Sequence, residues 1–240
     1  MKCVILAGGK GSRIRYYEDD CPKPLINVGS KPILWHIIKT YVHYGIRDFI
    51  ICLGYKADNF IKYFGEIDMQ KEFGEYVNIQ LINTGLETLT GSRLKKVANL
   101  LNTDESFLLT YGDGVAKIDI EDLIKFHKSK DVDATISVVP YVDRFGIVEA
   151  DSDIATAFNE KKEHDDKWIN IGYMILNYTT LDKISYNDSI LEKDLLEKVC
   201  SEGKLSIYKN VDFWKCLDTP RDLQELNNLV DTSNAKWIVW

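Results

Sequence analysis

Leu6-Ala7-Gly8-Gly9-Lys10-Gly11-Ser12-Arg13, followed at a short distance by Pro22-Lys23-Pro24, is the stretch on which the reading of this chain turns. It continues directly from residues 3–6, Cys-Val-Ile-Leu, an apolar run with the composition of a buried strand. Glycines at 8, 9 and 11 remove side chains where backbone N–H groups approach a partner closely. Arg13 and Lys23 add positive charge to the same neighbourhood, and the flanking prolines restrict the backbone that presents Lys23. Backbone amides, a bidentate guanidinium and a compact ammonium together describe a polyphosphate site.

Two common phosphate motifs do not fit. A P-loop requires G-x-x-x-x-G-K-[ST], and Gly9-Lys10 is followed by Gly11. A dinucleotide fingerprint requires a third small residue where Ile14 stands, and an acid after the second strand, whereas Asp48 precedes it. A dinucleotide-dependent oxidoreductase is therefore disfavoured.

Residues 49–53 and 107–110 repeat the continuous apolar pattern of residues 3–6, as strands covered on both faces do. Helical spacing over 33–44, 94–101 and 120–126 alternates with them, and Gly45 supplies a stop for the first of these helices. The order predicts an α/β fold with a doubly wound, mostly parallel, Rossmann-like sheet and ligands at the carboxyl ends of its strands. Further on, strands are expected at 134–139, 147–150, 154–159, 173–176, 204–208 and 213–217, with helices at 191–199 and 221–230. This second half adds a small β region. Residues 163–167, Glu-His-Asp-Asp-Lys, read as an exposed loop, and the tail Trp237-Ile238-Val239-Trp240 as a packed terminus, with a lid or interface element as the alternative.

With 240 residues the chain can bury one substantial core. Its 30 basic and 37 acidic residues give a formal charge of −7 without any basic block, a poor match to nucleic-acid binding. The five cysteines (Cys3, Cys21, Cys52, Cys200, Cys216) lack C-x-x-C spacing, which argues against a zinc ribbon and a secreted disulfide framework and for a reducing, cytoplasmic setting. No secretory signal peptide is visible, and no apolar run approaches the ~20 residues that membrane insertion requires.

Two acids stand at the ends of strand-like runs: Asp113, within Gly112-Asp113-Gly114, and Asp218, before Thr219-Pro220. A carboxylate at the carboxyl end of a central strand points into the ligand crevice. Two oxygen ligands, with phosphate oxygens completing the shell, suit Mg²⁺. The alternative is that each acid starts a turn or caps a helix, an alternative that weighs most at Asp218.

Taken in order, these segments resemble the signature of the sugar-phosphate nucleotidylyltransferases, and among them most closely the glucose-1-phosphate cytidylyltransferases. Thr84-Gly85, Thr90-Gly91-Ser92-Arg93-Leu94-Lys95, Thr110-Tyr111-Gly112-Asp113-Gly114-Val115, Asn159-Glu160-Lys161 and Leu217-Asp218-Thr219-Pro220 extend the resemblance over nearly the whole chain. It implies a single nucleotidyltransferase domain, residues 1–130 mainly for the nucleotide and 131–240 mainly for the acceptor. It implies CTP and a small phosphorylated sugar or polyol as substrates, Mg²⁺ as cofactor, and a homo-oligomer. The product would be a CDP-linked precursor for a cell-surface polysaccharide.

The resemblance also distributes roles. Arg13, Lys23, Asp113 and Asp218 would be catalytic, with both aspartates on the metal. Leu6, Ala7, Gly8, Gly9, Gly11, Ser12, Gly91, Arg93 and Gly112 would bind the nucleotide, Gly91 by admitting the base and Arg93 by contacting base or phosphate. Glu160, Lys161 and Asn170 would hold the acceptor. The nucleophile, a phosphomonoester with a second pKa of about 6, is already ionised at neutral pH. The four histidines are then not needed as bases, and His36 and His43 read as structural.

Departures fall on the acceptor side. The segment between Lys56 and Thr84 is short, Ile171 stands where the family favours a small residue, and no proline follows Glu160-Lys161. They open the alternative of a polyol or other small acceptor, or of another nucleoside triphosphate. A non-catalytic nucleotide-binding regulatory homologue is the alternative of another class.

Overall fold

The computed structural model describes residues 1–11, 21–142, 147–160, 163–209 and 211–240. In chain order, β1 (Lys2–Leu6) precedes a 3-10 turn (Lys23–Leu25), the short paired strands β2 (Asn27–Val28) and β3 (Lys31–Pro32), and α1 (Ile33–His43). Then come β4 (Asp48–Leu53), α2 (Ala57–Glu66), α3 (Met69–Phe73), β5 (Asn78–Asn83), α4 (Thr90–Lys96), β6 (Ser106–Tyr111), β7 (Gly114–Ile118) and α5 (Ile120–Lys128). The remainder comprises β8 (Ala134–Val142), β9 (Ile147–Asp151), β10 (Ile154–Asn159), β11 (Glu163–Asn177), a π-helical segment (Leu191–Leu196) running into α6 (Glu197–Ser201), β12 (Leu205–Tyr208), β13 (Val211–Cys216) and α7 (Pro220–Asp231).

The main sheet has seven strands in the order β12-β8-β11-β6-β1-β4-β5. All pairings in it are parallel except those of β11 with β6 and β8. β11 alone therefore runs against the others, in agreement with the mostly parallel sheet expected from sequence. β1 pairs with β4 on one side and β6 on the other. The chain thus winds first one way and then the other from β1, which places a topological switch point at its carboxyl end.

The continuous apolar runs follow from two covered faces. Cys3 and Ile5 belong to one core with α1, Phe60 of α2 and Leu226 of α7. Val4 and Leu6 belong to a second core with Leu94 of α4, Leu191, Leu195 and Val199. Successive side chains of a strand point to opposite faces, so both sets must be apolar when helices pack on each side.

Three differences from the sequence reading have local causes. Residues 163–167 are strand rather than loop: β11 continues through them because β8 extends to Val142 and supplies a partner, with a register shift between His164 and Trp168 absorbing the misfit. The helix at 94–101 starts earlier, at Thr90, and breaks after Lys96 into a 3-10 turn at Ala98–Leu100. α2 and β5 are absent from the sequence reading, which follows the continuous apolar runs: α2 has half of its positions exposed and β5 is only half-buried. The added β region is the ribbon β9–β10, where Val148 lies opposite Phe158 and both remain exposed.

The tail is packed. Trp237 is fully buried, stacks on Phe213 at 5.7 Å, and donates from Nε1 to His36 Nδ1 at 3.3 Å. His36 Nε2 in turn lies 2.9 Å from the Val28 carbonyl, so a neutral ring with its proton on Nε2 satisfies both contacts. Burial lowers the pKa of His36, and burial also lowers that of His127. Below a pH of about 6.5 the unfolded chain then takes up protons that the native rings refuse, so stability present above that pH is lost as pH falls. The urea midpoint is expected to be lower at pH 5.5 than at pH 7.5, with a smaller difference in His36→Gln. An unchanged difference in that variant removes His36 from the account.

Candidate active site

The carboxyl ends of β1 and β6 open into a cleft of about 460 Å³. From β1 come Leu6, Ala7, Gly8, Gly9 and Gly11, and from the end of β6 come Tyr111, Gly112 and Asp113. Lys23 and Arg93 complete the expected residues on its wall.

Asp113 lies in the two-residue break between β6 and β7, and β7 pairs antiparallel with β13, Gly114 opposite Cys216. The Leu217 N–H donates to the Asp113 carbonyl at 2.8 Å. That ladder carries Asp218, 105 residues further along the chain by its number, to the same place. Lys23 Nζ donates to Asp113 Oδ2 at 2.7 Å and to Asp218 Oδ1 at 2.5 Å. Burial alone pulls the pKa of Lys23 down, but the two carboxylates outweigh it and hold the ammonium above the ordinary lysine value. Lys23 is thus a cation at any physiological pH, with only a tenth of its side chain exposed.

The capping alternative for Asp218 does not describe the structure. Thr219 is the N-cap of α7, in a capping box with Asp222. Asp218, one residue earlier, is left to turn toward Lys23.

Arg93 stands neither in solvent nor extended into the cleft. It is 4% exposed, and Nη1 donates to the carbonyls of Leu53 (2.8 Å) and Gly85 (2.7 Å) and to Thr84 Oγ1 (2.7 Å). Nη2 donates to the carbonyls of Gly8 (3.0 Å) and Leu86 (3.1 Å). One guanidinium thereby ties the glycine loop to the end of β4 and to the loop after β5. A Cβ on Gly8 would lie 2.2 Å from Nη1, so this glycine makes room for Arg93 rather than for a ligand. Gly9 has nothing within 4 Å of a Cβ position and is the open point of the loop, whereas Gly11 holds φ +57° beside Lys23. Gly91 is packed on the Ser189 carbonyl, 2.9 Å from a Cβ position, and is not on the cleft wall.

Ser12, Arg13 and Lys161 lie outside the described residues. Glu160 is exposed beyond β10, and the Asn170 side chain accepts from the Gly172 N–H at 2.9 Å. Neither lines the described wall of the cleft. Ile171 turns into the core at 5% exposure, and the ladder shifts register between Asn170 and Met174. The extra side chain is thus absorbed by a backbone irregularity and takes no space from the cleft.

Sequence reasoning missed Glu192, Ile190 and Leu89 on the cleft wall. Glu192 accepts from the Tyr111 hydroxyl; burial first, and then this carboxylate, push the phenol pKa far above its usual range. The signal was faint: Glu192 stands in an ordinary helical pattern, and only its π-helical setting, a geometry frequent at functional sites, marks it.

A protein-family model described as nucleotidyl transferase matches residues 2–233. The chain belongs to this family. Among the nucleotidyl transferases it is similar to the glucose-1-phosphate cytidylyltransferase of Salmonella typhi, 38% identical in an alignment 256 positions long that takes in all of both chains. The probable glucose-1-phosphate cytidylyltransferase of Bacillus subtilis is 36% identical, again over the whole of both. Of the solved structures, HddC from Yersinia pseudotuberculosis superposes with a TM-score of 0.73 at 25% identity, covering 95% of this chain and 99% of that one. The chain is accordingly a nucleotidyltransferase, an enzyme. Among the described residues no helix is long and apolar enough to cross a membrane.

Proposed function

We propose that this nucleotidyltransferase joins CTP to a sugar 1-phosphate, with glucose 1-phosphate as the first candidate, releasing pyrophosphate and forming a CDP-sugar. The observation that carries the reading is one ammonium, that of Lys23, bound to two carboxylates brought together from distant parts of the chain at the mouth of a glycine-loop cleft. Full-length similarity to two cytidylyltransferases supports the base and the acceptor.

In this reading an oxygen of the acceptor phosphate bonds to the α-phosphorus of CTP as the bond from that phosphorus to the pyrophosphate oxygen breaks. The acceptor arrives ionised, so the chain's task is to place two anions together and to favour charge on the phosphoryl and leaving oxygens. Amides of the glycine loop cradle the triphosphate, and Lys23 supplies fixed charge beside it. Arg13 adds a bidentate cation. Asp113 and Asp218 would hold Mg²⁺: two hard oxygen donors that already converge on a cation fit an ion which takes few carboxylates and completes its shell with phosphate and water. When bound, the ion neutralises charge on the phosphate oxygens. Gly91 and Arg93 act on the base side through packing and through the loop carbonyls they hold, and Glu160, Lys161 and Asn170 belong to the acceptor side.

The division into a nucleotide half, 1–130, and an acceptor half, 131–240, belongs to this proposal with one amendment: Ile190 and Glu192 of the second half face the nucleotide cleft. So do a homo-oligomer, a cytoplasmic location and a place among reactions that supply activated sugars for polysaccharides. The burial of Ile171 favours a sugar acceptor over the smaller polyol phosphate, since the substitution leaves the cleft unnarrowed.

Pyrophosphate release measured with four nucleoside triphosphates against glucose 1-phosphate, other sugar 1-phosphates and polyol phosphates tests the proposal. CTP with glucose 1-phosphate is expected to exceed other pairings at least tenfold in kcat/KM. A polyol phosphate as the best partner of CTP overturns the acceptor, and absence of turnover with every pairing overturns the reaction.

A further inference from the structure

The carboxylate of Asp222 does more than a helix cap requires. In a capping box the third helical residue reaches back to the N–H of the cap, and the cap's side chain accepts from the third N–H. Both bonds are present: Asp222 Oδ2 accepts from the Thr219 N–H at 2.8 Å, and Thr219 Oγ1 accepts from the Asp222 N–H at 3.2 Å. Asp222 Oδ2 also accepts from the N–H of Asp218 at 3.2 Å, one residue outside the helix. Its other oxygen, Oδ1, meets Lys215 Nζ of β13 at 3.3 Å, and that ammonium is shared with Glu225, which Arg221 holds at 2.9 Å. Both Asp222 and Lys215 are about three-quarters buried.

The result is a brace across the turn from β13 to α7. Upstream, the Leu217 N–H is fixed to the Asp113 carbonyl. Downstream, the next N–H, that of Asp218, is fixed to Asp222. Asp218 therefore has its backbone held on both sides while its carboxylate faces Lys23. These two backbone bonds set the direction from which the carboxylate leaves the turn, and the Cys216 thiol, which donates to Asp218 Oδ2 at 3.4 Å, and Lys23 meet it there. We propose that Asp222 is a positioning residue for Asp218, holding the carboxylate of Asp218 at the separation from Asp113 that a divalent cation requires. This rests on the assignment of Asp113 and Asp218 as the metal-binding pair. Outer partners of this kind change metal affinity or activity by about 10- to 100-fold when removed.

The competing account is that Asp222 only caps α7. Two variants separate them. Thr219→Ala removes the cap hydroxyl, with its donation to Asp222 Oδ2 at 2.8 Å, but keeps the Asp222 carboxylate and its bond to the Asp218 N–H. Asp222→Ala removes that carboxylate and that bond. Mn²⁺ is the probe, followed by water-proton relaxation on the nucleotide-free protein, a readout independent of turnover, with kcat and the KM for CTP measured alongside. Asp222→Ala is expected to weaken Mn²⁺ binding about tenfold and to lower kcat while the KM for CTP stays within about twofold. Thr219→Ala is expected to lose comparable thermal stability with Mn²⁺ binding little changed. Asp222→Asn, which keeps an oxygen acceptor for the N–H, is expected to recover most of the Mn²⁺ affinity. If the two alanine variants bind Mn²⁺ alike while the wild type binds it normally, the positioning role is wrong and the proposed function stands. If the wild type binds no Mn²⁺ at all, the metal assignment fails and this inference with it.

Discussion

Lys23→Ala is expected to lower turnover by about 10³-fold at saturating CTP and acceptor, with the fold retained. The estimate follows from what the ammonium does where charge develops. A single preorganised donor at such a place contributes on the order of 10²–10³ in kcat, and Lys23 is a full charge with only a tenth of its side chain exposed. Two features make the loss larger than for an average surface lysine. The ammonium is held by two charge-assisted bonds of 2.7 and 2.5 Å, which keep it beside the glycine loop before substrate arrives. In the metal-free protein its removal also leaves Asp113 and Asp218 facing one another without a counter-charge. That second effect costs stability, but the two carboxylates keep 34% and 23% of their side-chain exposure, so solvent screens much of the repulsion. Lys23→Arg is not expected to rescue turnover, because a planar fork cannot occupy the point between two carboxylates that a compact ammonium fills. Pyrophosphate release and a melting curve on the same preparations decide the matter. Near wild-type turnover in Lys23→Ala would show that the site lies elsewhere.

The strands that build this site were legible because they are buried on both faces, which leaves an apolar run that no alternation interrupts. Cys3 to Leu6 is such a run, with every side chain at 7% exposure or less. The two aspartates were legible as strand-end acids, yet their meeting was not. It depends on β7 pairing with β13, a contact between segments far apart in sequence that no local pattern records. The same holds for Arg93. Its place in Thr90-Gly91-Ser92-Arg93 suggested a residue facing a ligand, whereas its partners are mainly carbonyls of two loops and of the end of β4, and backbone carbonyls leave no mark in a sequence. Residues 163–167 misled for a related reason. Turn-forming composition is a local preference, and an available partner strand overrides it. Glu192 went unnoticed because one acid in a helical pattern is usually solvated.

Arg93→Ala is expected to act first on stability and only through it on the nucleotide. The guanidinium donates to five acceptors on three segments, so its loss strips the loop after β1, the end of β4 and the loop after β5 of a common partner. Two of the acceptors keep a second donor: the Gly8 carbonyl accepts from the Tyr55 N–H, and the Leu53 carbonyl from Thr84. The cost is thereby less than five separate bonds. The Thr84 hydroxyl likewise keeps its bond to the Leu53 carbonyl, so a loss of about 3 kcal/mol is the estimate, from hydrogen bonds to a charged group at roughly 1.5–3 kcal/mol each with those to the Gly85 and Leu86 carbonyls in effect unreplaced. In a chain of this size that lowers the melting temperature by roughly 6–12 °C. A guanidinium that served mainly to contact the base or a phosphate would behave oppositely, with nucleotide binding lost and stability nearly unchanged. Gly8→Ala supplies the cross-check. Its added methyl collides with the guanidinium at 2.2 Å, so it is expected to be strongly destabilising in the wild-type background and much less so beside Arg93→Ala. Urea unfolding of the two single variants and the double variant measures that coupling. Strict additivity would place the two residues in separate roles and remove the clamp from the account of how the glycine loop is held open toward its ligand.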